Sequence, residues 1–298
     1  CLGDWGSVDA AIQNRRIVSP DQEFCSANMY LILLEEYKAL FAAHDGSEML
    51  MENLELRIEE ARCAIIDLFR NKDGSFASGT QSSAIFALKA GLHGNEAEKY
   101  RLERNLIERI LEEDGVFRFG IFGMSWAYTF LSKLGEDDLI YNWLSRRHEP
   151  NHLSMLANGN QTLGEYFPLQ SGTNKVQGSL NHAMFSSYTV WMMEKLVGIS
   201  VRKDCSIQLA PYFPTDLTGV NGSLLTAQGE IEARWERLGE NGIMYSVTLP
   251  VSLDYDLRLG DKYRITNKKI SAAAGDCQTI RLTLQTADPI EAVRRVNA

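Results

Sequence analysis

The chain has 298 residues, a formal net charge of −9, 45 % hydrophobic and 23 % charged residues. These are ordinary globular proportions. They exclude disordered, collagenous and disulfide-scaffold classes, and the length suffices for one large core, or one large and one small domain. The acidic balance excludes a general phosphate-backbone binder, which needs a lysine and arginine surplus, and no apolar run is long enough for a membrane-spanning helix.

In chain order, residues 19 to 198 read as helices and residues 200 to 290 as strands. Ser19-Pro20-Asp21-Gln22 introduces the first helix, with Ser19 accepting an N-terminal N–H and Pro20 at the first helical position. Its apolar residues Phe24, Met29, Leu33, Leu34, Leu40 and Phe41 reach Ala43. A second helix spans Ser47 to Phe69 on the stripe Leu50, Leu54, Ile58, Ala61, Ile65 and Leu68, and Asn71-Lys72-Asp73-Gly74 breaks it. Further helices are predicted over Gln81–Leu92, Glu96–Glu113, Ser125–Leu134, Asp137–Ser145 and His182–Val197. Short connections make neighbours antiparallel, and the alternation of apolar with polar helices fits a ring of hairpins whose inner helices are the more apolar.

After Gly198 the period changes to two. Ser206–Pro211, Ile231–Arg237, Met244–Leu249 and Thr279–Leu284 alternate like half-buried strands, and Gly239-Glu240-Asn241-Gly242 reads as a hairpin turn. A small antiparallel β-sandwich follows. The predicted division is 1–199 for the helical part and 200–298 for the β domain.

The five cysteines, Cys1, Cys25, Cys63, Cys205 and Cys277, are irregularly spaced without a CxxC pair, so mostly reduced, buried thiols are expected. A chain beginning at Cys1 reads as a mature product or a piece of a longer chain. No metal or cofactor is called for: His148 and His152 are four apart, but Pro150 between them prevents a shared helix face.

The informative stretches are four loops rich in glycine, aromatic and amide residues. They are Gly3-Asp4-Trp5-Gly6, Gly120-Ile121-Phe122-Gly123 with Trp126, Asn158–Phe167, and Gly178-Ser179-Leu180-Asn181-His182. Aromatic faces beside carboxylate, amide and imidazole groups equip a sugar site, since a sugar's C–H face packs on a ring while its hydroxyls take fixed hydrogen bonds.

On these loops the sequence resembles the bacterial α-L-rhamnosidases of glycoside hydrolase family 78. Gly159-Asn160-Gln161-Thr162-Leu163-Gly164-Glu165 is similar to the family's G-A-T-T-x-W-E. Ser179-Leu180-Asn181-His182 through Ser187 is similar to its S-x-N-H-x-x-F-G-S, and Gly3-Asp4-Trp5 to its G-D-W. Gly120-Ile121-Phe122-Gly123 is similar to its G-F-L-G, and Gly198-Ile199 to its closing G-I. The five occur in the family's order and the resemblance spans essentially the whole chain.

The resemblance implies part of an (α/α)6 barrel followed by an antiparallel β-sandwich, and hydrolysis of terminal α-L-rhamnose with inversion. Inversion needs one carboxylic acid at the leaving oxygen and one carboxylate to activate water. Glu165 matches the family's general base. Asp4, Trp5 and His182 match sugar-holding residues, Trp126 lies near the pocket rim, and Gln161 and Asn181 are candidates for hydroxyl contacts. The implied partner is a rhamnose-containing glycoside or polysaccharide, and the implied source bacterial, the compartment being secreted, periplasmic or cytoplasmic.

Two residues depart from the pattern: Gly164 stands where the family has an aromatic, and Ser186 where it has glycine. The family's acid motif, D-E-R-x-G-W-x-G-D, has no counterpart in the chain, and the predicted helices are too few for a whole barrel. The general acid is therefore expected from an upstream segment, and an exposed apolar face is expected to meet that segment or a second copy. The alternative is a non-catalytic carbohydrate-binding remnant. A glucuronyl hydrolase or phosphorylase is a further reading; for the latter, only Arg146-Arg147 offers cations near the base.

Overall fold

In the computed structural model, which describes residues 2–9, 11–13, 16–19, 21–44, 48–147, 150–157, 159, 161–167 and 178–286, the helical and the alternating stretches separate as their periods demand. The expectations at Cys1, Pro20, Ser47, His148, Asn158 and Asn160 fall outside these residues. The chain divides into two compact units, Cys1–Ser187 and Tyr188–Ala298.

The first unit opens with a short antiparallel pair, β1 (Ala11–Gln13) and β2 (Arg16–Val18). It then carries α1 (Gln22–Ala43), α2 (Glu48–Phe69), α3 (Gln81–Lys89), α4 (Glu96–Glu112), α5 (Ile121–Lys133), α6 (Asp137–Leu144) and α7 (His152–Ala157). They pair as hairpins α1/α2, α3/α4 and α5/α6, and α1, α3 and α5 also adjoin one another as an inner row. Burial follows this arrangement. Most of α3 is buried, from Gln81 to Leu88, whereas α4 buries only the stripe Leu102, Leu106, Ile110 and turns its charges outward. Side chains cap the starts: Thr80 accepts from Ser83 N at 3.1 Å and Asn95 from Glu98 N at 2.9 Å. The second half of α1 leaves Leu33, Tyr37 and Leu40 exposed, and α2 leaves Leu50 and Leu68 exposed, so two of the predicted stripes are only partly covered.

Three expectations are corrected. The first helix begins at Gln22, and Ser19 does not cap it: its hydroxyl is drawn to the Asp4 carbonyl, 3.2 Å away. The predicted last helix is broken into a 3-10 turn at Ala183–Phe185, α8 (Tyr188–Trp191) and a π-type turn at Met192–Val197. At the first break the Phe185 carbonyl faces the His152 Nε2, 2.9 Å away, and the Phe185 ring is buried against Phe167. Helix α7 has no counterpart among the predicted helices; it is too short for a periodic pattern, but Asn151 caps it by accepting from Ser154 N at 2.8 Å.

In the second unit, strands β3 (Ile199–Val201), β4 (Ile207–Leu209) and β8 (Tyr255–Leu257) make a small sheet, whose β4–β8 pair is parallel rather than antiparallel. The larger sheet is antiparallel. It comprises β5 (Gly219–Thr226), β6 (Gly229–Leu238), β7 (Gly242–Pro250), β9 (Tyr263–Ala273) and β10 (Cys277–Thr286), in the order β5-β6-β7-β10-β9. The turn at Gly239 joins β6 to β7 as expected, with Leu238 opposite Gly242. Ile199, Ile207 and Leu209 share one core with Ile231, Trp235, Tyr245 and Leu282, which makes the unit a sandwich.

Cys25 is buried, but Cys63 and Cys205 are exposed and Cys277 is half-buried, all as free thiols, so the expectation of mostly buried thiols holds only for Cys25. Among the described residues no helix is long and apolar enough to cross a membrane.

Candidate active site

The Gly3-Asp4-Trp5-Gly6 loop is fastened to the start of α5. Asp4 is wholly buried, and its carboxylate accepts from Ser82 Oγ (2.6 Å) and from the backbone N–H groups of Gly120 (2.7 Å), Gly123 (3.0 Å) and Phe122 (3.1 Å). The Ile121 N–H goes to the Trp5 carbonyl at 2.8 Å. The N–H groups that open a helix have no partner within it, so this loop satisfies those of residues 120–123 with carbonyl and carboxyl oxygens at the positive end of the helix dipole. Burial pushes the Asp4 carboxyl up, against the pull of Ser82 and the three N–H groups. The three N–H groups can only donate, so both carboxyl oxygens are engaged as acceptors. The two glycines of Gly120-Ile121-Phe122-Gly123 are explained by this approach. A Cβ on Gly120 would lie 2.3 Å from the Asp4 carbonyl oxygen, and one on Gly123 2.5 Å from the Asp4 carboxylate.

With Asp4 held below, Trp5 is only half-buried and its Nε1 donates to Glu165 Oε1 at 2.9 Å. The segment carrying Glu165 lies beside the Ser179–His182 segment. Glu165 N donates to Ser179 O at 2.9 Å, His182 N to Leu163 O at 2.8 Å, and Thr162 Oγ1 to Leu180 O. Ser179 N returns a bond of 2.9 Å to Glu165 Oε2, the Tyr166 hydroxyl donates to Oε1 at 3.3 Å, and His182 Nδ1 stands 3.7 Å from Oε2. The Ser179 N–H above all, then Trp5, Tyr166 and His182, hold the Glu165 carboxyl below the usual carboxylate range, outweighing partial burial. Gly178 has φ +96°, and a Cβ there would sit 2.5 Å from Glu165 Oε2, so the residue before Ser179 must lack one.

Of the sequence candidates, the structure brings Trp5, Glu165 and His182 together. Asp4 underlies them and touches no solvent. Gln161 and Asn181 are exposed on the same two segments. Trp126, on α5, packs edge-on to Phe86 with Lys89 over its ring, 5.8 Å from the centroid. Sequence reasoning missed Tyr166, whose ring lies 5.9 Å from that of Trp5. Its place directly after the candidate base, in a loop already marked as aromatic, was the available signal.

Behind this group, His152 is buried, with Trp143 and Phe167 edge-on at 5.5 and 5.1 Å. Its Nε2 faces the Phe185 carbonyl, which can only accept, so the proton resides on Nε2. Desolvation pushes its pKa down to about 4, and the ring is neutral. Among the described residues no cluster of three or more His, Cys, Asp or Glu is placed to hold a metal ion.

The bacterial alpha-L-rhamnosidase 6 hairpin glycosidase domain matches residues 1–196, and the bacterial alpha-L-rhamnosidase C-terminal domain matches residues 206–270. An alpha-L-rhamnosidase of Formosa agariphila is 27 % identical over 276 residues, covering 87 % of this chain and 28 % of the relative. Two solved structures share the fold. A Streptomyces avermitilis alpha-L-rhamnosidase complexed with L-rhamnose has a TM-score of 0.75 at 16 % identity, over 96 % of this chain and 28 % of that one. The alpha-L-rhamnosidase from Dictyoglumus thermophilum has a TM-score of 0.77 at 19 % identity, over 96 % and 34 %. The chain thus spans about a third or less of the length of these relatives.

Proposed function

Because the chain belongs to the family of bacterial α-L-rhamnosidases with a six-hairpin glycosidase domain, we propose that it is the base-carrying part of an inverting glycosidase that releases terminal α-L-rhamnose. The observation that carries this reading is the Glu165 carboxylate, kept ionised by the Ser179 N–H, the Trp5 indole and the Tyr166 hydroxyl while still partly open to solvent. An ionised, aimed carboxylate is what takes a proton from the attacking water.

In this reading Glu165 accepts the water proton as the oxygen attacks the anomeric carbon, and the glycosidic oxygen leaves with a proton from an acid outside this chain. Trp5 and Tyr166 offer ring faces to the sugar, and His182, Asn181 and Gln161 take its hydroxyls. Asp4 positions Trp5 and does not touch the sugar; Trp126 serves the rim. The sugar class is supported by the Streptomyces avermitilis relative, whose structure is a complex with L-rhamnose. The apolar faces left exposed on α1 and α2 support further hairpins, or a second copy, completing the domain.

The test is hydrolysis of an aryl α-L-rhamnoside by this chain beside Glu165→Gln, with the first-formed anomer followed by NMR. An activated aryl group leaves with little acid help, so a working base shows itself without the missing acid. Turnover with inversion, lost in Glu165→Gln, is expected. Turnover that survives the substitution would remove Glu165 from the mechanism. Binding of L-rhamnose without turnover, indifferent to Glu165→Gln, would make the chain a binding remnant.

A further inference from the structure

The outer face of the five-stranded sheet carries a trough of about 540 Å³ that the glycosidase reading does not use. Its register is informative. Directly opposed residues on adjacent strands share a face. One such row runs Asn221, Arg234, Ser246, Arg281, Lys269 from β5 to β9, and the row beside it runs Ser223, Glu232, Thr248, Thr279, Ser271. Ser246 is small and almost buried, so it forms a floor between two flanking arginines. The arginine Cα atoms stand two strand spacings apart, about 10 Å, close enough for both guanidinium groups to close on one ligand group above Ser246. Thr248 and Thr279 meet hydroxyl to hydroxyl at 2.9 Å on the same floor.

Among the described residues neither Arg234 nor Arg281 forms an ion pair or a side-chain hydrogen bond. The contrast lies within the same unit: Arg202 and Arg258 both pair with Asp256, at 2.7 and 2.8 Å. Two unpaired guanidinium groups and a lysine occupy one row, and planar guanidinium forks suit carboxylate and sulfate oxygens. The rest of the lining is hydroxyl and amide from Asn221, Ser223, Thr248 and Thr279, with Glu232 as an acceptor. No aromatic side chain lines the trough for a nucleobase to stack on.

We infer that this trough binds an acidic saccharide, with Arg234 and Arg281 holding the oxyanion of one sugar unit and the row of hydroxyls taking its neighbours. It draws no residue from the group around Glu165, so it stands or falls apart from the rhamnosidase reading.

The test is calorimetric titration of the whole chain with three oligosaccharides: trigalacturonate, a sulfated oligosaccharide, and neutral maltotriose. Binding of an acidic oligosaccharide is expected, weakened by salt and absent for maltotriose. Each of Arg234→Ala and Arg281→Ala is expected to weaken it about tenfold, the value of one lost charge-assisted hydrogen bond. Both arginines are exposed, so neither variant threatens the fold. The tighter of the two acidic ligands identifies the oxyanion as carboxylate or sulfate. Absence of binding by both, equal binding of maltotriose, or affinity unchanged in both variants would overturn the inference.

Discussion

Lowering the pH should destabilise the helical unit through His152. The ring is neutral in the fold, with its pKa pushed from 6.5 down to about 4 by desolvation among Trp143, Phe167 and Phe185. In the unfolded chain it returns to the ordinary value. The unfolded state therefore binds the extra proton first. The contribution is fully present above pH 6.5 and is lost as pH falls toward 4. The full interval of about 2.5 pH units corresponds to about 3 kcal/mol, of which about 2 kcal/mol is already lost at pH 5, before ordinary carboxylates titrate appreciably. His152→Gln keeps an N–H for the Phe185 carbonyl and removes the titration. Urea unfolding at pH 7 and pH 5, followed by helical circular dichroism, should show wild type losing about 2 kcal/mol more than the variant between the two pH values. Equal losses, or a His152 ring that titrates near 6.5 by NMR in the folded protein, would refute the reasoning.

Asp4→Ala leaves the Ser82 hydroxyl and three N–H groups at the head of α5 buried without their acceptor. A loss of about 3–5 kcal/mol in chemical denaturation is expected, with Asp4→Asn milder because its one carbonyl oxygen still accepts. With Glu165 as the proposed base, the acid limb of kcat/KM for an aryl rhamnoside should fall at a pH below the ordinary glutamate value. Trp5→Phe removes one donor and should move that limb upward by a fraction of a pH unit to about one unit. Gly178→Ala puts a Cβ against Glu165 Oε2 at a φ of +96°, and should cost activity together with about 1–2 kcal/mol of stability in thermal unfolding.

Much of the helical unit was legible in the sequence because its signals are local. The stripe of α4, the caps at Thr80 and Asn95 and the turn at Gly239 each depend on residues within a few positions of one another. The loops around the site were legible as motifs, and the motif order carried the family. What those motifs do was set by contacts far apart in sequence. Asp4 reads as a sugar ligand beside Trp5, yet 116 residues separate it from the Gly120 N–H that takes its carboxylate. Trp5 and Glu165 are 160 positions apart, and only folding makes an indole N–H one of the donors that hold the Glu165 carboxyl below its usual range. Likewise the Phe185 carbonyl at the helix break meets a His152 33 residues away, and the arginine trough depends on the pairing of β6, β7 and β10. Local sequence specified the elements and the residue types available to them. Packing then selected which polar groups lost water together, and that exchange of water for fixed partners buries Asp4 under four hydrogen bonds and leaves Glu165 partly open, its carboxyl held below the usual range.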